Sequence, residues 1–158
     1  MQHNFQVLSI DPTETSHFFD MTDDELAAVN ACRRTADRNP GFPCRVSLQD
    51  AEVGEEVILF NYLHHDAASP YRATGPVYVR KNARRADLSA NQLPGHLSHR
   101  LLSLRGYDAG SMLVDARSAK GDGLENELQS LFSNKQVRYV HIHNAAQGCF
   151  HCRVERVI

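Results

Sequence analysis

The chain has 158 residues, 42% of them hydrophobic and 23% charged, with a formal net charge of −2 and a pI near 6.5. A chain of this size buries enough surface to fold as one domain without staples. Its charge leaves no global basic field for nucleic acid, and no apolar run approaches membrane-spanning length.

The first residues, Met1 to Phe5, lack the basic n-region and apolar stretch of a signal peptide. The four cysteines, Cys32, Cys44, Cys149 and Cys152, do not form a secreted framework. The expectation is a cytoplasmic, single-domain protein over residues 1–158, with neither a membrane nor a nucleic-acid partner. The sequence leaves the oligomeric state open.

Residues 5–10 alternate weakly and predict a first strand. Asp11-Pro12 offers an N-cap with proline at the first helical position, and a short helix carrying Phe18 and Phe19 follows. Thr22 and Glu25 have the spacing of a capping box, which opens a helix running to about Cys32. Asn39-Pro40-Gly41 marks a turn. Cys44, Val46 and Leu48 alternate with Arg45, Ser47 and Gln49, the pattern of a half-buried strand with Arg45 on its polar face. Residues 50–55 read as a hairpin loop. Residues 56–63 are apolar on both faces, as in a central strand.

A polar loop over residues 64–75 leads to a further strand over residues 76–80 and an exposed basic connection over residues 81–94. Strands are predicted over residues 101–107 and 112–116, joined by a turn at Asp108-Ala109-Gly110. Asp122 is the expected cap of a helix whose Leu124, Leu128, Leu131 and Phe132 form one apolar stripe. Two last strands, over residues 137–143 and 149–157, flank a loop of residues 144–148. The sum is an α+β fold: a mostly antiparallel sheet with two or three helices packed on one face.

Chemistry concentrates in the last hairpin, at His141-Ile142-His143 and Cys149-Phe150-His151-Cys152. Side chains alternate faces along a strand, so His141 and His143 lie opposite Val140 and Ile142. Aligning the two apolar rows pairs His143 with Cys149 and His141 with His151. That register places His141, His143, Cys149 and His151 on one face, with Tyr139 and Arg153 beyond. It sends Cys152 to the apolar side, so Cys149 and Cys152 share neither a metal nor a disulfide.

Three readings of that face remain open. Histidine and thiolate suit zinc, with His141, His143 and Cys149 as ligands. Cys149 and His143 have the residue types of a nucleophile and its base. The plainest reading is a polar sheet face with ordinary hydrogen bonds.

Arginine supplies 14 of the 17 basic residues, and its fork grips carboxylates and phosphates. Tyr71 and Arg72 sit in a loop between Pro70 and Gly75 that can present both to a ligand. If Arg45 and Arg80 lie on adjoining faces, they add an anion-binding surface. His64 and His65 face opposite ways in an extended chain, so at most one of them is expected to turn inward. No Gly-rich phosphate loop and no Gly-x-Ser-x-Gly elbow occurs.

Two stretches carry a resemblance. One is Pro40-Gly41-Phe42-Pro43-Cys44-Arg45-Val46-Ser47-Leu48, continued by Gly54-Glu55, Asn61-Tyr62, Ser69-Pro70-Tyr71-Arg72 and Val77-Tyr78-Val79-Arg80. The other is His141-Ile142-His143-Asn144 with Gly148-Cys149-Phe150 and Arg153-Val154. Together they resemble an uncharacterised bacterial family catalogued as domain of unknown function 1203. The resemblance implies a small cytoplasmic bacterial protein and supplies no activity, cofactor or catalytic residue.

The leading expectation is a domain that binds a small anionic or polar ligand through Arg45, Tyr71, Arg72, His141 and His143. Cys149 and His143 leave room for an enzyme, and no cofactor is expected. The alternatives are a zinc-binding protein using His141, His143 and Cys149, and a protein–protein interaction module.

Overall fold

A computed structural model describes residues 2–158. Its strands form two antiparallel sheets rather than one. The larger contains β1 (Phe5–Leu8), β5 (Leu101–Tyr107), β6 (Leu113–Lys120), β7 (Tyr139–Asn144) and β8 (Phe150–Arg156), in the order β1-β8-β7-β5-β6. The smaller contains β2 (Cys32–Thr35), β3 (Glu56–His65) and β4 (Ala73–Arg80), with β3 in the centre. That position suits the two-sided apolar pattern of β3.

The two helices belong to different cores. Helix α2 (Leu124–Ser133) lays Leu124, Leu128, Leu131 and Phe132 on Leu102, Leu104, Val140, Ile142, Cys152 and Val154 of the large sheet. Helix α1 (Asp23–Ala28) sends Leu26 into a second cluster with Ile58, Phe60, Val77, Val79 and Phe150. Phe150 belongs to the large sheet and the strand residues around it to the small one, so the face of the large sheet opposite α2 is covered by β3 and β4. Among the described residues, no helix is long and apolar enough to cross a membrane.

Several local expectations give way to tertiary context. The capping box forms, with Glu25 N–H donating to Thr22 Oγ1 (3.2 Å) and Thr22 N–H to Glu25 Oε1 (3.0 Å). The helix nevertheless ends at Ala28. Asn30 adopts φ 57°, a left-handed conformation that asparagine tolerates, and Cys32 to Thr35 become an edge strand paired with Leu59 to Glu56. Asp122 does not cap α2, because a turn of 3-10 helix at Gly121–Gly123 precedes it.

The alternation over residues 44–48 marks a compact turn, not a strand. Cys44 N–H donates to Gln49 O, Leu48 N–H to Cys44 O, and Leu48 takes φ 54°. The turn fills the space beside β4, so Arg45 is as buried as its apolar neighbours, at 1% exposure.

Candidate functional site

Two irregularities in strand pairing build the site. In the last hairpin, His143 pairs with Phe150 and Ile142 with Cys152, so His151 is the extra residue of a bulge. Asn144 N–H donates to Cys149 O (2.8 Å), and Gly148 turns the chain at φ 79°. The hairpin therefore closes one residue tighter than the expected pairing of His143 with Cys149. His141 pairs with Arg153, not His151. A one-residue slip exchanges faces, so Phe150 joins the histidines while Cys149 and His151 leave them. The bulge then returns Cys152 and Val154 to the apolar row of Ile142 and Val140, as the hydrophobic pattern requires.

The second irregularity lies in β3, where the register with β4 shifts between Tyr62 and His65. It breaks the alternation of His64 and His65. Both rings reach His141, at centroid distances of 6.2 and 4.9 Å. The expectation that only one turns inward fails because the bulge removes the two-residue period on which it rested.

His64, His141 and His143 converge, with one ring nitrogen of each within 4.8 Å of the others. Nδ1 of His143 lies 2.9 Å from Gly148 O. A carbonyl only accepts, so Nδ1 carries the proton and Nε2 keeps its lone pair. That Nε2 is buried without a hydrogen-bond partner, as are Nδ1 of His64 and Nδ1 of His141. Phe150 stacks on His64 at 5.3 Å and meets the edges of His141 and His143.

Burial holds all three imidazoles neutral, reinforced by neighbouring cationic or titratable groups. His64 is pushed down to about 4, His141 to about 2 and His143 to about 3. His65 differs, because both of its nitrogens are engaged: Nδ1 with Tyr71 O (2.8 Å) and Nε2 with the Tyr139 hydroxyl (2.6 Å).

Two clefts open beside the cluster. One, of about 240 Å³, is lined by Tyr62, His64, His141, Phe150, Arg85 and Arg153, among others. The other, of about 600 Å³, runs past His64 and His65 to Ser111 and Tyr139.

The remaining residues singled out from the sequence are dispersed. Arg45 does not sit on a polar face: its guanidinium donates to Phe150 O (2.7 Å), to Pro43 O and to Cys149 Sγ (3.4 Å). Burial lowers the Arg45 pKa, and the nearby Cys149 opposes that shift. Cys149 Sγ also accepts from Asn144 Nδ2 (3.0 Å) and makes no hydrogen bond to His143 among the described residues. Tyr71 reaches the cluster's edge, with its ring 6.0 Å from Tyr107. Arg72 lies on the surface, paired with Asp66. Arg80 is held by Glu55 through Nε and Nη2, each at 2.6 Å.

Arg105, opposite His141 on β5, is the residue whose place beside the cluster only the structure reveals, whereas His64 is one of the two adjacent histidines that the sequence offered. Arg105 has one signal in the sequence, its position two residues before Tyr107 on a strand whose other face is apolar.

Thiol accessibility follows from these positions. Cys149 is half-buried, whereas Cys44 and Cys152 are fully buried, and burial pushes the Cys152 thiol up to about 12. Native alkylation followed by mass spectrometry is expected to label Cys149 at least ~10-fold faster than Cys44 or Cys152, because a reagent must reach the sulfur. Equal rates would show that the segment carrying Cys44 opens as readily as the hairpin loop.

A family model described as "Protein of unknown function (DUF1203)" matches residues 41–156. The chain belongs to this family. The matched span holds all three converging histidines, Arg105 and Arg153, whereas α1 lies before it. DUF1203 brings no assigned activity to these positions. Searches of curated proteins and of solved structures find no match.

Proposed function

We propose that this DUF1203 protein is a single-domain metal-binding protein whose ligands for a zinc-like divalent ion are His64, His141 and His143. The observation that carries the reading is His143 Nε2, a lone pair buried without a partner on a ring whose other nitrogen is tied to a carbonyl. Metal-ligating histidines are oriented in this way, by a hydrogen bond from the second nitrogen. Burial keeps the three rings in the neutral form that a metal requires. Three nitrogen donors suit zinc, copper, nickel or iron rather than magnesium or calcium. A tetrahedral ion with bonds near 2.0 Å needs donors about 3.3 Å apart, so each ring has to move inward by less than about 1 Å. Relative to the set expected from the sequence, His64 takes the place of Cys149.

Metal analysis of protein purified without an affinity tag tests the reading. Near-stoichiometric zinc or another transition metal is expected, lost in His64→Ala and His143→Ala and retained in Cys149→Ser. Zinc at a hundred times its Kd is expected to add about 2.7 kcal/mol of stability to the metal-free protein, raising Tm by roughly 5–10 °C. A folded protein that neither carries metal nor gains stability from zinc would refute the proposal.

A further inference from the structure

We infer that the metal position takes a small oxyanion, a phosphate or carboxylate group, as an additional ligand held between Arg105 and Arg153. The inference rests on the metal reading above and identifies what fills the rest of the site.

Its basis is a row of charge across the large sheet. His141 is paired with Arg105 on β5 and with Arg153 on β8. Directly opposed residues have Cβ atoms about 5 Å apart and share a face. His141 is thus flanked in the sheet by an arginine on each neighbouring strand. Arg153 is fixed in place, stacked 3.9 Å over the Tyr139 ring with Nε donating to Glu155 (2.8 Å). Its two terminal amino groups find no acceptor among the described residues. Arg105 makes a long bond from Nε to Ser103 Oγ (3.4 Å) and also interacts with the Tyr107 side chain. Both arginines disfavour a second positive charge on the cluster, Arg105 at His64 and His143 and Arg153 at His141.

A divalent ion on neutral histidines would meet the same repulsion. Of the nearby carboxylates, Glu155 pairs with Arg153 and lies opposite Tyr139 rather than His141, and Glu14 stands at the cleft lining. Three protein ligands leave a tetrahedral ion an open position. An oxyanion there neutralises the metal and offers its other oxygens to the guanidinium forks, which match carboxylate and phosphate geometry. The cleft beside His64 and His141, with Arg153 and Arg85 in its wall, provides room for a small molecule bearing such a group.

Two equilibria coupled in this way must help each other equally. The test is cobalt(II) titration of the metal-free protein, followed by its visible ligand-field spectrum, with and without millimolar inorganic phosphate or acetate. Either anion is expected to change the bound-metal spectrum and tighten cobalt(II) binding by about tenfold, a coupling in the ordinary range. If phosphate alone acts, the ligand carries a phosphoryl group; if acetate acts equally, a carboxylate suffices.

Arg153→Ala and Arg105→Ala are each expected to bind cobalt(II) at least as tightly as the parent without anion, since repulsion has been removed, and to lose most of the coupling. Arg153→Lys should keep part of it. A merely structural arginine would not produce tighter metal binding together with lost coupling. Cobalt(II) binding that neither anion alters would overturn this inference alone. Failure to bind cobalt(II) would overturn the metal reading and this inference with it.

Discussion

Between pH 7 and pH 5 the metal-free protein is expected to lose several kcal/mol of stability. His96, His141, His143 and His151 are buried, and burial holds each far below its ordinary value: His96 and His143 at about 3, His141 at about 2, and His151 well below normal. In the unfolded chain each takes up a proton near pH 6.5, so below that pH the unfolded state binds more protons than the folded one. Stability is therefore fully present above about pH 6.5 and falls as the pH drops toward the folded values. Each such histidine costs about 2 kcal/mol between pH 7 and pH 5. Four together are comparable with the 5–15 kcal/mol that holds a typical domain folded. Denaturant midpoints measured at pH 7, 6 and 5 should fall steeply. His96→Phe, which replaces a ring 5.4 Å from His151, should reduce the slope by about one proton. A midpoint unchanged between pH 7 and pH 5 would contradict the buried, neutral state of these rings.

Replacing Arg45 should be among the most damaging single changes in the chain. Its guanidinium supplies the donors for Phe150 O and Pro43 O, and its backbone accepts from Ile10 N–H and donates to Tyr78 O, each at 3.0 Å. One residue therefore ties the N-terminal segment, β4 and the start of β8 together. Arg45→Met leaves two buried carbonyls without their donor, at about 1–3 kcal/mol each. A loss of about 3–5 kcal/mol in urea denaturation is expected, the range seen when a buried charged network is broken. Arg45→Lys should recover only part of it, because a single nitrogen cannot reach all the acceptors that Nε, Nη1 and Nη2 serve separately. Under the metal proposal, the folded fraction of either variant should still bind zinc, since the Arg45 guanidinium hydrogen-bonds to Phe150 O, Pro43 O and Cys149 Sγ and to none of the three histidines. A stability change under about 0.5 kcal/mol would instead mark Arg45 as a surface-like residue.

Much of the fold was legible in periodicity. The stripe on α2, the two-sided apolar pattern of β3 and the capping box of α1 each correspond to what the structure contains. These are local signals, set by the spacing of apolar groups and by polar groups close in sequence. The turn over residues 44–48 misled because alternation records only which residues are apolar. Here Arg45 is buried along with Cys44, Val46 and Leu48, and the backbone closes its own hydrogen bonds.

The site was legible as residue types and illegible as geometry. Strand parity, applied to the hydrophobic row, correctly separated Cys152 from the histidines and grouped His141 with His143. It could not locate the bulge at His151. Two registers one residue apart satisfy the same local pattern near the turn, and the choice depends on how Asn144 and Gly148 close the loop.

By itself the sequence determined most of the strands, the helix carrying the leucine stripe, the apolar rows and the concentration of imidazole and guanidinium groups in the last third of the chain. Only the tertiary structure decided which of them meet. Bulges at His151 and before His65 rotate Phe150, His64 and His65 into the space between the sheets, and pairing across three strands sets Arg105 and Arg153 on either side of His141. A bulge is the compromise between two strands and a loop, so its position follows from contacts between distant segments rather than from the spacing of residues along any one of them.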